Sequence, residues 1–181
     1  MDEQKTRISK FLSFILRHKP EEFNLSLDSH GFADFKKVVA VLKEKFPGID
    51  ENQLKVIIEE DLQERFHLKD DKIRARYGHS VSVEPLEVCA EVPPTLFHAT
   101  SPENAQLILK EGLGPARRKF VHLSMTTQDA LRVGKRKSTE PVLLAIDAKR
   151  AQAEGVTFWR EGKVFLAEAV PVQYIHLYKY K

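Results

Sequence analysis

The chain has 181 residues, of which 42% are hydrophobic and 30% charged, a balance typical of one globular domain or two small lobes. This apolar content excludes a disordered chain. No apolar run approaches the roughly 20 residues that a membrane-spanning helix needs. The charged N-terminus lacks the apolar core of a secretory signal. The net charge of +3 divides into −3 over residues 1–92 and +6 over residues 93–181, and such concentrated positive charge suits a phosphate-rich partner.

The pattern of apolar and capping residues predicts three helices within residues 1–92. Apolar residues recur at helical spacing up to Pro20, where the first helix must end. Asp34 is placed to cap the second helix, and Asp50 with Gln53 forms a capping box for the third.

A β-hairpin follows the three helices. Its predicted strands, 65–68 and 72–77, flank a polar turn. Three helices and a hairpin favour a winged helix, a common nucleic-acid-binding shape, although a small helical domain with a structural hairpin has the same pattern.

The double proline Pro93-Pro94 is the predicted domain boundary, because two prolines cannot lie within a helix or a paired strand. It gives a first domain over residues 1–92 and a second over 93–181.

The second domain is rich in predicted strands. Ser101 and Pro102 predict the start of a helix that Gly112 ends, and a second short helix is expected from Thr127 to Val133. Neither a dinucleotide-binding glycine motif nor a phosphate-binding P-loop is present. The pattern predicts an α+β lobe on a twisted sheet, whose strands are the apolar runs LFHAT, FVHLS, PVLLAID and VFLAEAV.

Arg17 and His18 are candidate phosphate-binding residues at the end of the first helix. Cations at a helix C-terminus are favoured by the helix dipole, so a purely structural role is one interpretation. In the functional interpretation, Arg17 clamps a phosphate and His18, which titrates near neutral pH, donates a hydrogen bond or a proton.

The hairpin carries a second set of cations. Arg65 opens its first strand, and Arg74 and Arg76 share a face of its second strand, because strand periodicity is two. They form either a solvated face or contacts to backbone phosphates. The turn from Tyr77 to Ser80 could bring backbone N–H groups and His79 near an anion.

Taken in order, these segments resemble a known family. ISKFLSFILRHKP, ERF, IRARYGHS, LFHAT, RKFVHLS and VGKR follow one another as in the NAD-dependent RNA 2′-phosphotransferases, also called tRNA 2′-phosphotransferases. The resemblance covers about residues 8–175. It departs at Ala99, where the family usually has Gly, and at Tyr77, where Gln is common.

The resemblance implies a winged-helix RNA lobe followed by an ADP-ribosyltransferase-type NAD lobe. It also implies the reaction, in which an internal RNA 2′-phosphate attacks the nicotinamide ribose of NAD and expels nicotinamide. The ribose 2″-OH then attacks the phosphodiester of this ADP-ribosylated RNA. The products are RNA with a 2′-OH and ADP-ribose 1″,2″-cyclic phosphate.

The family's functional residues transfer to this chain by motif. The catalytic set falls on Arg17, His18, Arg65 and Arg118, with Arg117 beside the last of them. The NAD-binding residues fall on His98, Thr100 and Ser124.

These residue types suit the reaction. A 2′-phosphomonoester is mostly a dianion at neutral pH and needs no general base to act as a nucleophile. Guanidinium groups hold phosphate oxygens in a fixed plane, Arg118 can stabilise charge on the transferred phosphoryl group, and His18 can protonate the departing 2′-oxygen. No metal is required.

Two other functions remain open at this point: a one-step ADP-ribosyltransferase acting on nucleic-acid phosphates, and a non-catalytic winged-helix nucleic-acid-binding protein. The expected partner is an RNA bearing an internal 2′-phosphate, such as a tRNA, with NAD consumed as co-substrate. We expect a cytoplasmic location, because the single Cys89 cannot form an internal disulfide and this fits a reducing compartment. We also expect a monomer without membrane association.

Overall fold

The computed structural model describes residues 3–116 and 118–179. The chain divides between Pro85 and Leu86 into two compact units.

This division precedes the double proline because the intervening residues bond to the second unit. Leu86 N donates a hydrogen bond to the Glu161 carboxylate at 3.1 Å, and Cys89 N donates to the Phe158 carbonyl at 2.7 Å.

The first unit contains three α-helices and a small sheet. In chain order its elements are α1 (Glu3–Arg17), β1 (Ala33–Asp34), α2 (Phe35–Lys45), α3 (Glu51–Glu59), β2 (Phe66–Lys69) and β3 (Lys72–Ala75).

The predicted caps of α2 and α3 are confirmed. Asp34 accepts a hydrogen bond from Lys37 N at 2.8 Å. Asp50 accepts from Gln53 N at 2.8 Å, and the Gln53 side chain accepts from Asp50 N at 3.2 Å. Each cap pairs N–H groups that the first helical turn leaves unpaired.

The first sheet has the order β1-β3-β2 and is antiparallel. The sequence predicted the hairpin but not β1, whose Ala33 pairs with Ile73 of β3. Both residues are buried in one apolar core with the inner faces of the helices, including Leu12 and Leu42.

The second unit is built on a six-stranded antiparallel sheet with the order β7-β8-β5-β4-β6-β9. Its elements are β4 (Thr95–Thr100), α4 (Pro102–Glu111), β5 (Val121–Ser124), α5 (Thr127–Gly134), β6 (Val142–Asp147), α6 (Ala148–Ala153), β7 (Trp159–Glu161), β8 (Val164–Ala167) and β9 (Ile175–Leu177).

Helix α5 packs very closely against β4. A Cβ built on Gly134 would lie 2.8 Å from Ala99 Cβ and 2.9 Å from Pro141 Cβ, closer than such atoms can approach. The glycine at the end of α5 therefore leaves room for the Ala99 side chain.

The fold is a mixed α and β structure with two antiparallel sheets, which confirms the predicted α+β class. Over the described ranges, no helix is long and apolar enough to cross a membrane.

Candidate active site

The Arg17–His18 pair lies at the carboxyl end of α1, where one short turn contacts both residues. The Arg17 guanidinium lies 5.1 Å from the centre of the Tyr77 ring. Ser80 N donates a hydrogen bond to the Arg17 carbonyl at 2.9 Å, and Ser80 Oγ lies 3.0 Å from His18 Nδ1. Both candidate residues are thus held by the segment that follows β3.

Gly78 allows this turn to approach the Arg17 side chain. Its φ of +89° favours glycine, and a Cβ there would lie 3.3 Å from Arg17 Nη1. The backbone N–H groups of Ser80 and Val81 both donate to the Arg17 carbonyl. The prediction that N–H groups of the turn from Tyr77 to Ser80 face an anion is therefore wrong for Ser80, because its N–H bonds to the carbonyl at the end of α1.

Arg65 is fixed by the buried carboxylate of Asp61, a partner that was not predicted from the sequence. Its Nη2 donates to Asp61 Oδ1 at 2.9 Å, and its Nε lies 3.1 Å from both oxygens. Arg65 N also donates to Asp61 Oδ2 at 2.7 Å. The Asp61 side chain is only 3% exposed and that of Arg65 is 24% exposed, so the carboxylate orients a guanidinium that still reaches solvent.

Backbone and side-chain bonds link the Arg65 region to the Arg17 region. Arg76 N donates to the Arg65 carbonyl at 2.8 Å, and the Tyr77 hydroxyl donates to the Gln63 carbonyl at 3.1 Å. Since Tyr77 also stacks on Arg17, the segment after β3 connects all three predicted residues of the first unit.

Arg74 is only 1% exposed. For this residue, burial contradicts both interpretations of the hairpin cations, a solvated face and a contact to backbone phosphates. Its guanidinium donates to the carbonyls of Ala75 and Arg76 at 3.1 Å and lies 5.6 Å from the Phe32 ring centre. Arg74 therefore packs in the first unit, with its Nε and Nη2 bonded to carbonyls, and is shielded from solvent.

His79 is buried and neutral. Burial, followed by the charges of Arg74, Arg17 and His18, lowers its pKa to about 3. The buried Nε2 has no hydrogen-bond partner among the residues that the structure describes. A neutral, buried His79 supplies no positive charge to an anion at physiological pH.

His98 and Thr100 lie on β4 of the second unit. His98 Nδ1 lies 3.1 Å from the His122 carbonyl, which can only accept, so this nitrogen carries the proton. Burial lowers the pKa of His98, the His122 bond opposes that shift, and the charge of Lys137 adds to it. The neutral imidazole therefore has its acceptor lone pair on Nε2.

Ser124 is on a different face of the sheet from His98 and Thr100. It pairs with Phe97 across β4 and β5, and directly paired residues share a face, whereas His98 is one position along. Arg118 is exposed on the segment before β5. Its neighbour Arg117, noted beside it in the sequence, lies outside the described residues.

Within residues 3–116 and 118–179, no group of three or more His, Cys, Asp or Glu residues could hold a metal ion.

Comparison with known proteins gives a match over nearly the whole chain. The family model described as RNA 2′-phosphotransferase, Tpt1/KptA family, matches residues 3–169. The chain belongs to this family. Curated relatives include Probable RNA 2′-phosphotransferase 2 of Archaeoglobus fulgidus, which is 43% identical over 97% of this chain and 81% of its own length.

Two further relatives of the RNA 2′-phosphotransferase family come from other organisms, and each is named Probable RNA 2′-phosphotransferase. The protein of Thermococcus kodakarensis is 39% identical over 98% of this chain and 99% of its own length. That of Agrobacterium fabrum is 42% identical over 94% of this chain and 92% of its own length. The RNA 2′-phosphotransferase resemblance drawn from the sequence motifs is thereby confirmed.

Proposed function

We propose that this chain removes an internal 2′-phosphate from RNA, such as a spliced tRNA, and transfers it to NAD. The observation that carries the proposal is the Arg17–His18 pair, held by Ser80 at the end of α1 in a chain of the RNA 2′-phosphotransferase family. The names of the relatives support the 2′-phosphate as the transferred group.

The order of elements supports a role for each unit. Three helices followed by an antiparallel hairpin support a winged-helix RNA lobe in the first unit. The antiparallel six-stranded sheet of the second unit supports an ADP-ribosyltransferase-type lobe for NAD.

The phosphate-binding role falls to Arg17 and Arg65. Tyr77 supports the face of one guanidinium and Asp61 fixes the other, so both are oriented before the RNA binds. A preoriented guanidinium loses little side-chain entropy when it binds two phosphate oxygens. The bound phosphate is already a dianion, so these residues need only align it.

The hydrogen-bonding groups of β4 fit the hydroxyls of a nucleotide ribose. Neutral His98 offers an acceptor at Nε2, and Thr100 offers a hydroxyl that can donate and accept. These two residues would hold NAD, which when bound supplies the glycosidic carbon that accepts the phosphate. Ser124 lies on the other face of the sheet, so its contact with NAD remains a prediction from the family motif alone.

Two residues serve the later transfer of the phosphoryl group. The Arg118 guanidinium stabilises charge on that group, and His18 protonates the RNA 2′-oxygen that leaves.

The decisive experiment is mass analysis of the products from NAD and an RNA with one internal 2′-phosphate. We expect 2′-OH RNA, nicotinamide and ADP-ribose cyclic phosphate in equal amounts. ADP-ribosylated RNA as the final product would instead identify a one-step ADP-ribosyltransferase. Salt-dependent RNA binding without nicotinamide release would identify a non-catalytic binding protein.

Replacing Arg17 by Ala is expected to weaken use of 2′-phosphorylated RNA by at least ~1.5 kcal/mol, because a charge-assisted contact to the phosphate is lost. The measurement is kcat/KM for 2′-phosphorylated RNA. Arg7→Ala is the matched control, since Arg7 is an exposed arginine on the same helix. Equal effects of the two substitutions would contradict the phosphate contact.

Replacing Arg118 by Ala is expected to cause ADP-ribosylated RNA to accumulate, because the residue acts after the first transfer. Gel mobility and mass analysis detect this species over time. Arg150→Ala removes an exposed arginine from α6 and should leave no such species. If Arg118→Ala slows neither step, the assignment is wrong.

A further inference from the structure

The hydroxyl of Ser80 lies between two groups at the end of α1. Its Oγ is 3.0 Å from His18 Nδ1 and 3.4 Å from the Arg17 carbonyl oxygen. Ser80 N also donates to that carbonyl at 2.9 Å, so the serine backbone is anchored where its hydroxyl meets the imidazole.

The number of available protons limits how these groups can bond. A carbonyl oxygen only accepts, and a serine hydroxyl has one proton to give. When Ser80 Oγ donates to the Arg17 carbonyl, its lone pairs are left to accept a hydrogen bond from the N–H group at His18 Nδ1. In the opposite arrangement Ser80 donates to Nδ1 and loses only its long 3.4 Å contact with the Arg17 carbonyl, which Ser80 N and Val81 N already bond.

The first arrangement also tolerates both charge states of His18. The imidazolium carries protons on both nitrogens, so its Nδ1 must donate to Ser80 Oγ. Loss of the proton from Nε2 leaves the neutral Nδ1–H tautomer with the same two hydrogen bonds. The hydroxyl does not have to rotate when the proton moves.

We propose that Ser80 is a positioning residue that holds His18 in the Nδ1–H tautomer, so that Nε2 is the nitrogen that exchanges a proton with the RNA. The catalytic consequence rests on the proposed function, in which His18 is the acid for the departing 2′-oxygen. The tautomer itself is independent of that function and can be measured on the free protein.

The turn that carries Ser80 is suited to this role. Gly78 brings the chain against Arg17, and Tyr77 stacks on the same guanidinium. Buried His79 lies between Gly78 and Ser80 and anchors the turn in the first unit. An exposed hydroxyl on an anchored backbone can fix a histidine orientation without closing access to the ring.

The test combines nitrogen NMR with steady-state kinetics on the full chain. In long-range ¹H–¹⁵N spectra of the neutral protein, His18 should show a protonated Nδ1 and an unprotonated Nε2. The Ser80→Ala variant should show a mixture of tautomers and a kcat reduced by up to about a hundredfold, because general-acid catalysis contributes about 10²–10⁴-fold, with KM for RNA changed little. Ser80→Thr keeps the hydroxyl and should restore both the tautomer and most of the rate.

Ser82→Ala is the matched control, because Ser82 is an exposed serine two positions along the same segment. Thermal unfolding of each variant verifies that the fold is retained. A Ser80→Ala variant that keeps the Nδ1–H tautomer overturns the proposal, whether or not activity falls. A wild-type protein with the expected tautomer but no turnover of 2′-phosphorylated RNA refutes the proposed function and leaves the tautomer assignment standing.

Discussion

Replacing Asp61 by Asn is expected to lower the free energy of unfolding of the first unit by about 2 kcal/mol, because it removes the buried carboxylate that pairs with the partly exposed Arg65 guanidinium. The native carboxylate accepts from the backbone N–H groups of Gln63 and Arg65 as well as from the guanidinium. An amide at this position faces donors with its own NH₂ group, so at least one of these bonds is lost. Urea unfolding followed by first-unit amide signals measures the change.

Glu60→Gln is the matched control, since it removes the neighbouring carboxylate. Glu60 pairs with Lys5 at 2.7 Å, but the two side chains are 58% and 37% exposed. An exposed pair contributes about 0–1 kcal/mol, so the control should stay near wild type. Similar losses for the two variants would contradict a special role for the buried carboxylate.

The same substitution also tests how Arg65 is oriented. If Asp61 positions the guanidinium for phosphate, Asp61→Asn should raise KM for 2′-phosphorylated RNA at temperatures where the variant remains folded. Unchanged kinetics would mean that Arg65 reaches its position without the carboxylate.

The helices of the first unit were predictable because their signals are local. A cap such as Asp34 and a capping box such as that of Asp50 and Gln53 satisfy N–H groups within a single turn of helix. The pattern of apolar residues then determines which face is buried.

The short strands could not be predicted, because the interactions that form them are not local in the sequence. The two-residue β1, and later β7 and β9, have three residues or fewer and depend on a partner strand that is already in place. Alternation of polar and apolar residues carries no information over such a length. Their existence is set by tertiary pairing.

The site was predicted at the level of residue type and motif order, but its supporting groups were not. Asp61 and Ser80 are common residues in polar segments, and only the folded chain brings them against Arg65 and His18. Arg74 shows the same limit. The alternation of the strand predicted which face of the strand it lies on, but it did not predict the two carbonyls to which its guanidinium bonds.

The buried His79 makes the stability of the first unit depend on pH. Its pKa is about 3 in the folded chain, whereas an unfolded histidine has a pKa of about 6.5. Between these values the unfolded state binds more protons, so stability falls as the pH falls. The contribution lost between pH 7 and pH 4 is about 3 kcal/mol, and none of it is lost above pH 7.

His79→Gln is expected to flatten this acid dependence, because glutamine does not titrate while it retains polar atoms near the same place. The measurement is the free energy of unfolding at pH 7 and pH 4, from urea titrations followed by amide signals of α1 and α2. His30→Gln, in the same unit, should keep the wild-type dependence. Because burial and the charges of Arg74 and Arg17 keep His79 neutral, a wild-type slope in His79→Gln would mean that another group titrates.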